Sequence, residues 1–216
     1  VPKTDTKTKI LDAAERLFRE QGIGAVSVRA IIGKAGVNIA AIHYHFGSKE
    51  VVVKNVVIRL LEPVNSRRLE LLDQLEEEYG IEPIPLEKVL EAFLEPLVKM
   101  AAEDPARYLS FKELIGRIHA EPNEIRTFMH LFQDVFNRFF MAIKKVLPEL
   151  NEQQLLLGFS FTMGALGSMI YKDQLIREHI SRESKSMDYK ILKNYVIRFI
   201  AGGFHSFGPQ AHTKEI

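Results

Sequence analysis

The chain has 216 residues, 46% of them hydrophobic and 26% charged, with no cysteine and a formal net charge of +1. That length suffices for one large helical core or for a small head on a larger body. The lack of cysteine excludes disulfides and thiolate metal sites, and no apolar run is long enough to span a bilayer. The charge is unevenly spread: residues 1–50 hold eight Lys/Arg against five Asp/Glu, and the remaining 166 hold 21 against 23. A polyanion contact is therefore expected at the N-terminal end. No charged-then-apolar leader opens the sequence, so a soluble, cytoplasmic protein without a membrane partner is expected.

Ile10, Ala13, Ala14, Leu17 and Phe18 form the stripe of a first amphipathic helix, which Gly22 ends. Ser27 is an N-cap residue, and Val28, Ile31 and Ile32 give the next helix one apolar face. Gly36 sits where a helix C-terminus needs a positive φ, and Val37 can return to the core. Asn38 then caps a short third helix. Two short helices joined by such a turn present a reading head to the DNA major groove.

On that head Asn38, Ile39, Ala40 and Ala41 come first, and the apolar ones can read only shape or a thymine methyl. His43, Tyr44 and His45 close the helix, and Lys49 begins the next. Arg29 is the candidate bidentate reader of a guanine, or a phosphate clamp. Packing against Phe46 is the competing role for Tyr44 and His45, and a solvated surface position the competing role for Lys49.

Ala35-Gly36-Val37 followed by Tyr44-His45-Phe46-Gly47-Ser48-Lys49-Glu50 makes residues 7–55 resemble the N-terminal domain of TetR-family transcriptional regulators. In that family the turn usually reads Ala-Gly-Val-Ser and the recognition helix ends Tyr-Tyr-His-Phe. Here His43 stands where tyrosine is usual, and Ile32 where a small alanine is usual. The resemblance implies phosphate contacts from Ser27, Tyr44, His45 and Lys49, a small-molecule inducer bound in the body, and dimerisation through the last two long helices.

Ser48 caps a fourth helix expected to run to about Glu78, with Glu50 set against its N-terminal dipole. Pro63 falls inside it, so a bend or break is expected near Glu62. After a Gly/Pro loop at 79–85, helices are expected near 86–103, 105–119, 123–147, 151–178 and 188–204. Asp104-Pro105 and Glu121-Pro122 mark starts, and Asn151 with Gln154 resembles a capping box. No strand pattern appears. The fold is expected to be all-α: a three-helix helix-turn-helix domain over 1–50, joined by a long helix to a helical-bundle ligand and dimerisation domain over 51–216.

The helix near 123–147 carries Phe132, Phe136 and Phe139 in its apolar stripe, and with Phe93, Leu97, Phe111, Ile115 and Phe161 the body is rich in large apolar groups. Core is the favoured role for each, but part of the set is expected to line a pocket for an apolar inducer. Farther on, Ser160, Gly164 and Ser168 are spaced by four, with Gly158 and Gly167 beside them. Small residues in this pattern let another helix approach closely. Close packing within one chain would use the same pattern. The paired heads that a palindromic operator requires favour a homodimer face, shared with Tyr195, Val196 and Phe199.

An enzyme finds little support. His43 and His45 point to nearly opposite sides of a helix and cannot share a metal, and there is no Gly-rich phosphate loop and no GxSxG elbow. Glu113 and Arg117 read as a helix-surface pair. No cofactor is expected. Short segments (Glu113–Arg117, Leu147–Leu150, Met163–Leu166) are similar to the ligand domains of TetR-type regulators responsive to fatty acids or acyl-CoA. The expected function is a repressor released from a palindromic DNA operator by a small apolar ligand. The alternatives are a helical dimeric adaptor without inducer response, or a cofactor-free enzyme.

Overall fold

The structure is a computed structural model that describes residues 5–120, 129–171 and 189–208. Every regular element among them is helical: α1 (Thr6–Gln21), α2 (Val28–Ala35), α3 (Ile39–His45), α4 (Lys49–Tyr79), α5 (Leu86–Glu103), α6 (Pro105–Ala120), a 3₁₀ turn (Met129–Phe132), α7 (Gln133–Val146), α8 (Glu152–Tyr171) and α9 (Tyr189–Ser206). The uninterrupted helix expected over 123–147 is, from residue 129 onward, a 3₁₀ turn followed by an α-helix. Its start at Glu121-Pro122, and the expected helical stretch 172–178, lie outside the described residues.

The chain divides into two compact units. Unit 1 takes its described residues from Val1–Pro63 and Ala106–Leu131, so it reaches beyond the 1–50 segment to include the first half of α4 and nearly all of α6. Ile10, Ala14, Leu17 and Phe18 of α1 pack with Ile31, Ile42 and Phe46, all buried. Two bonds tie α6 into this unit: Arg19 Nη1 donates to Ser110 Oγ at 2.8 Å, and Arg107 Nη2 donates to the Arg59 carbonyl at 3.4 Å. Arg59 in turn pairs with Asp12 at 2.6 Å and with Glu15, fastening α4 to α1.

The bond from Arg107 bears on Pro63: of the bend or break expected near Glu62, the break does not occur, since α4 runs unbroken from Lys49 to Tyr79. Proline lacks the N–H that would bond the carbonyl four residues back. That carbonyl belongs to Arg59, and Arg107 supplies the missing donor from α6. Glu113 lies 3.9 Å from Arg19; the side chain of Arg117, its expected partner, lies outside the described residues.

Unit 2 holds Val64–Pro105 and the described residues from Phe132 onward. In it α9 packs on α5 and α8, and α7 packs on the same two helices. Phe93, Leu94, Leu97, Phe139, Leu155 and Phe204 are buried at its centre. Asn151 and Gln154 form the expected capping box, each side chain bonding the other's backbone N–H at 2.9 Å. Lys193 bonds Glu91 at 2.7 Å, joining α9 to α5 and holding the Glu91 carboxyl below the usual carboxylate range.

Candidate nucleic-acid interface

The turn between α2 and α3 follows from three local choices. Ser27 Oγ accepts from Ala30 N–H at 3.2 Å, and Asn38 Oδ1 accepts from Ala41 N–H at 3.0 Å, so both helices start on side-chain caps. Between them Gly36 adopts φ 65°, and its N–H and that of Val37 both reach the Ile32 carbonyl. A β-carbon would strain that left-handed conformation. Ile31 rather than Ile32 is the fully buried anchor of α2, while Ile32 stays half-buried.

α3 is then fixed by burying Ile42, with Phe46 wedged behind it. That orientation turns Ile39, Ala40, His43 and Tyr44 outward, with Ile39 50% and Tyr44 86% exposed. Tyr44 therefore does not pack under Phe46. Its ring meets only the edge of His45, at 5.0 Å between centroids, and the His45 ring lies 6.3 Å from Phe46. His45 and Ala41 are half-buried, whereas Ser27, Arg29 and Asn38 are exposed.

The polar groups on this face are already partly engaged, which decides what each can still offer. The Ser27 oxygen accepts the cap bond, leaving its O–H to donate. The Asn38 carbonyl oxygen is spent on its cap, so the amide NH₂ is what faces outward. Lys49 Nζ donates to the Gly24 carbonyl at 3.4 Å and is half-buried, not a freely solvated lysine. Its remaining N–H groups sit at the start of α4, where Ser48 caps Val51 N–H at 3.4 Å.

His43 departs from what its position suggests. Its Nδ1 lies 3.2 Å from the Gly47 carbonyl, which can only accept, so Nδ1 carries the proton. The bond leaves Nε2 as the ring nitrogen free to meet DNA, an acceptor in the neutral ring and a donor in the protonated one. In the sequence Gly47 stands out only as part of the family motif, and Gly24 not at all. Gly47 has φ 74° and makes the turn into α4, a role its position directly after a helix end could have suggested. Gly24 matters only through its carbonyl, which leaves no trace in residue type.

The residues expected to line a pocket do not gather in one unit. Phe111 and Ile115 are buried on α6 in unit 1, and the rest belong to unit 2. There Phe93 meets Phe139 and Phe159 edge-on, at 5.1 and 5.7 Å, and Phe136 meets Phe159 at 4.8 Å. Leu97 is buried beside them and Phe132 half-buried. Phe161 is 62% exposed and lies with the outward faces of α8 and α9. Those faces also carry exposed Ser160, Gly164 and Ser168, half-buried Gly167 and Val196, and the largely bare Tyr195 and Phe199 at 66% and 77%.

Small residues on α8 do two separate jobs. A β-carbon at Gly158 would overlap the ring of buried Phe204, so Gly158 is where α9 crosses within the chain. A β-carbon at Gly164 would meet nothing within 4 Å. Among the described residues no helix is long and apolar enough to cross a membrane, and no three His, Asp or Glu side chains are placed to hold a metal ion.

Two family profiles match this sequence: "Bacterial regulatory proteins, tetR family" over residues 10–56 and "Tetracyclin repressor-like, C-terminal domain" over residues 91–203. The HTH-type transcriptional repressor KstR2 of Rhodococcus jostii is 33% identical over 70 residues, 32% of this chain and 34% of that protein. The chain thus spans about a third of the length of the curated relatives it matches. Among solved structures, a tetR family transcription regulator from Shewanella sp. PV-4 covers 95% of this chain and 100% of its own, with 16% identity and a TM-score of 0.63. SmeT, the repressor of the Stenotrophomonas maltophilia multidrug efflux pump SmeDEF, covers 96% and 93%, with 19% identity and a TM-score of 0.62. Both likenesses are of fold.

Proposed function

The chain belongs to the TetR family, and from that premise we propose that it is a dimeric, cytoplasmic DNA-binding transcriptional repressor, not an enzyme, released from a palindromic operator by a small ligand. The observation that carries the DNA reading is the outward face of α3. It offers Ile39, Ala40 and His43 between outward donors from Ser27, Asn38 and Lys49. Two such heads on a two-fold axis read half-sites about one helical turn apart, roughly 34–36 Å. On this reading Ser27, Tyr44, His45 and Lys49 hold phosphates. Ile39, Ala40 and Ala41 contact thymine methyls or groove shape, and Arg29 with Asn38 supplies the donors to base or phosphate acceptors.

A gel-shift titration over salt, on duplex DNA that the protein itself selects from a random pool, tests this. Lys49→Ala removes one phosphate contact from each head, so the slope of log K against log salt is expected to fall by about two units in a dimer. Affinity should fall evenly across sequences. Arg29→Ala, if Arg29 reads a base, costs about 1–3 kcal/mol and relaxes preference at one position. Binding that ignores salt and survives both changes would sink the reading.

The ligand reading rests on α4, which starts beside the head at Lys49 and runs unbroken to Tyr79 in unit 2. A ligand that favours the non-binding conformation by about 3 kcal/mol lowers operator affinity about a hundredfold. By linkage the operator must weaken ligand binding by the same factor. Equal ligand affinities with and without operator would reduce the body to a dimerisation module.

A further inference from the structure

We infer that Arg68, buried in unit 2, is the anchor for a carboxylate on the ligand, so that the inducer is an apolar monocarboxylate and not a neutral hydrocarbon-like molecule. The inference rests on the ligand-responsive reading above and names the class of that ligand.

Arg68 is 2% exposed. Its Nε donates to the Phe93 carbonyl at 2.8 Å and its Nη1 to Asn65 Oδ1 at 3.2 Å. The guanidinium carbon lies 4.0 Å from the centre of the Phe93 ring. A guanidinium has five N–H groups, and these contacts use two. No carboxylate among the described residues pairs with it. Glu95, on the same helix as Phe93, does not serve: its Oε2 is buried without a hydrogen-bond partner.

A buried cation lacking a counter-ion is one of the costliest groups a core can hold, and such groups concentrate where a ligand or reaction needs them. Burial pushes the Arg68 guanidinium down to about 9, so it stays charged at neutral pH. The bonds to Phe93 and Asn65 hold its plane fixed, with donors left over in the fork geometry that suits a carboxylate. The surroundings define the rest of the ligand. Phe93 carries Phe139 and Phe159 against its own ring, so the guanidinium sits in an aromatic cluster, and a body attached to the carboxylate would have to part those rings to enter. One positive charge in a dry site matches one negative charge, whereas a phosphate dianion would bring a second charge with nothing to neutralise it.

The test uses the full chain and a defined panel. The panel comprises straight-chain monocarboxylates from hexanoate to hexadecanoate and ω-phenylalkanoates, each beside the primary alcohol of the same skeleton, with dodecyl phosphate added. Calorimetry and thermal shift give the affinities. At least one carboxylate is expected to bind roughly ten- to a hundredfold tighter than its alcohol, the scale of hydrogen bonds to a charged group. In Arg68→Gln that ratio should collapse to near one while the alcohol's affinity holds, and Arg68→Lys should keep part of the preference. If Arg68→Gln does not fold, the Lys variant and the wild-type ratios still decide. Three results would overturn the inference: no carboxylate preferred over its alcohol, a preference that persists in Arg68→Gln, or dodecyl phosphate binding tighter than dodecanoate. Salt-dependent DNA binding by the unliganded wild type is measured alongside. Its absence would sink the regulator reading, whereas its presence without a carboxylate preference would sink only this one.

Discussion

Gly164→Leu is expected to yield a folded monomer that binds DNA about 10²–10⁴-fold more weakly, because two tethered heads lose their shared avidity. Within the chain the change is harmless, since a side chain at 164 points into open space. Leucine also favours helix over glycine, by somewhat under 1 kcal/mol. The cost falls only where a second α8 would approach. Gly158→Leu, six residues earlier, is expected to behave oppositely. It collides with Phe204, which is buried and has nowhere to swing, so it destabilises the fold itself by about 1–3 kcal/mol or more. Sedimentation and thermal melts of the two variants separate the cases. A Gly164→Leu protein of unchanged dimer mass and unchanged DNA affinity would move the interface off this face, and with it the proposed role of Tyr195 and Phe199.

The second large effect is expected at Phe18. Its ring is fully buried in unit 1, beneath the helices that carry the DNA-facing groups. Phe18→Ala should cost about 3–5 kcal/mol, which is most of what a small unit has to lose. DNA binding should vanish while unit 2, with its own core around Phe93 and Phe139, keeps the dimer together. Hydrogen exchange resolves this directly: fast exchange across α1–α3 beside protected amides in α8 and α9. Uniform loss of protection would mean that the two units melt as one.

Much of the head was legible because its signals are local. Ser27, Asn38 and Gly36 each act on backbone within four residues, and each does what its residue type predicts. The failures come from partners distant in sequence. Proline chemistry alone predicts a bend or break near Glu62, and no nearby residue reveals that Arg107 covers the orphaned carbonyl and lets the helix run on. The small residues of α8 looked like one stripe, but Gly158 faces Phe204 and Gly164 faces outward, a distinction made only by where α9 crosses. Arg68 was unreadable for the same reason. What marks it is the lack of a paired carboxylate among the described residues, and that depends on every helix around it.

The return of α6 sets a clock on synthesis. Arg19 leaves the ribosome 91 residues before the Ser110 it bonds. At about 5–20 residues per second, the nascent head waits roughly 5–18 s for its last helix. Through that interval the Arg59 carbonyl lacks its donor, and the apolar surface that Phe111 and Leu114 will help to cover stays open to water. The reading head is encoded first but completed late, so a ribosome stalled anywhere before residue 106 displays an unfinished DNA-binding unit to the cell's chaperones.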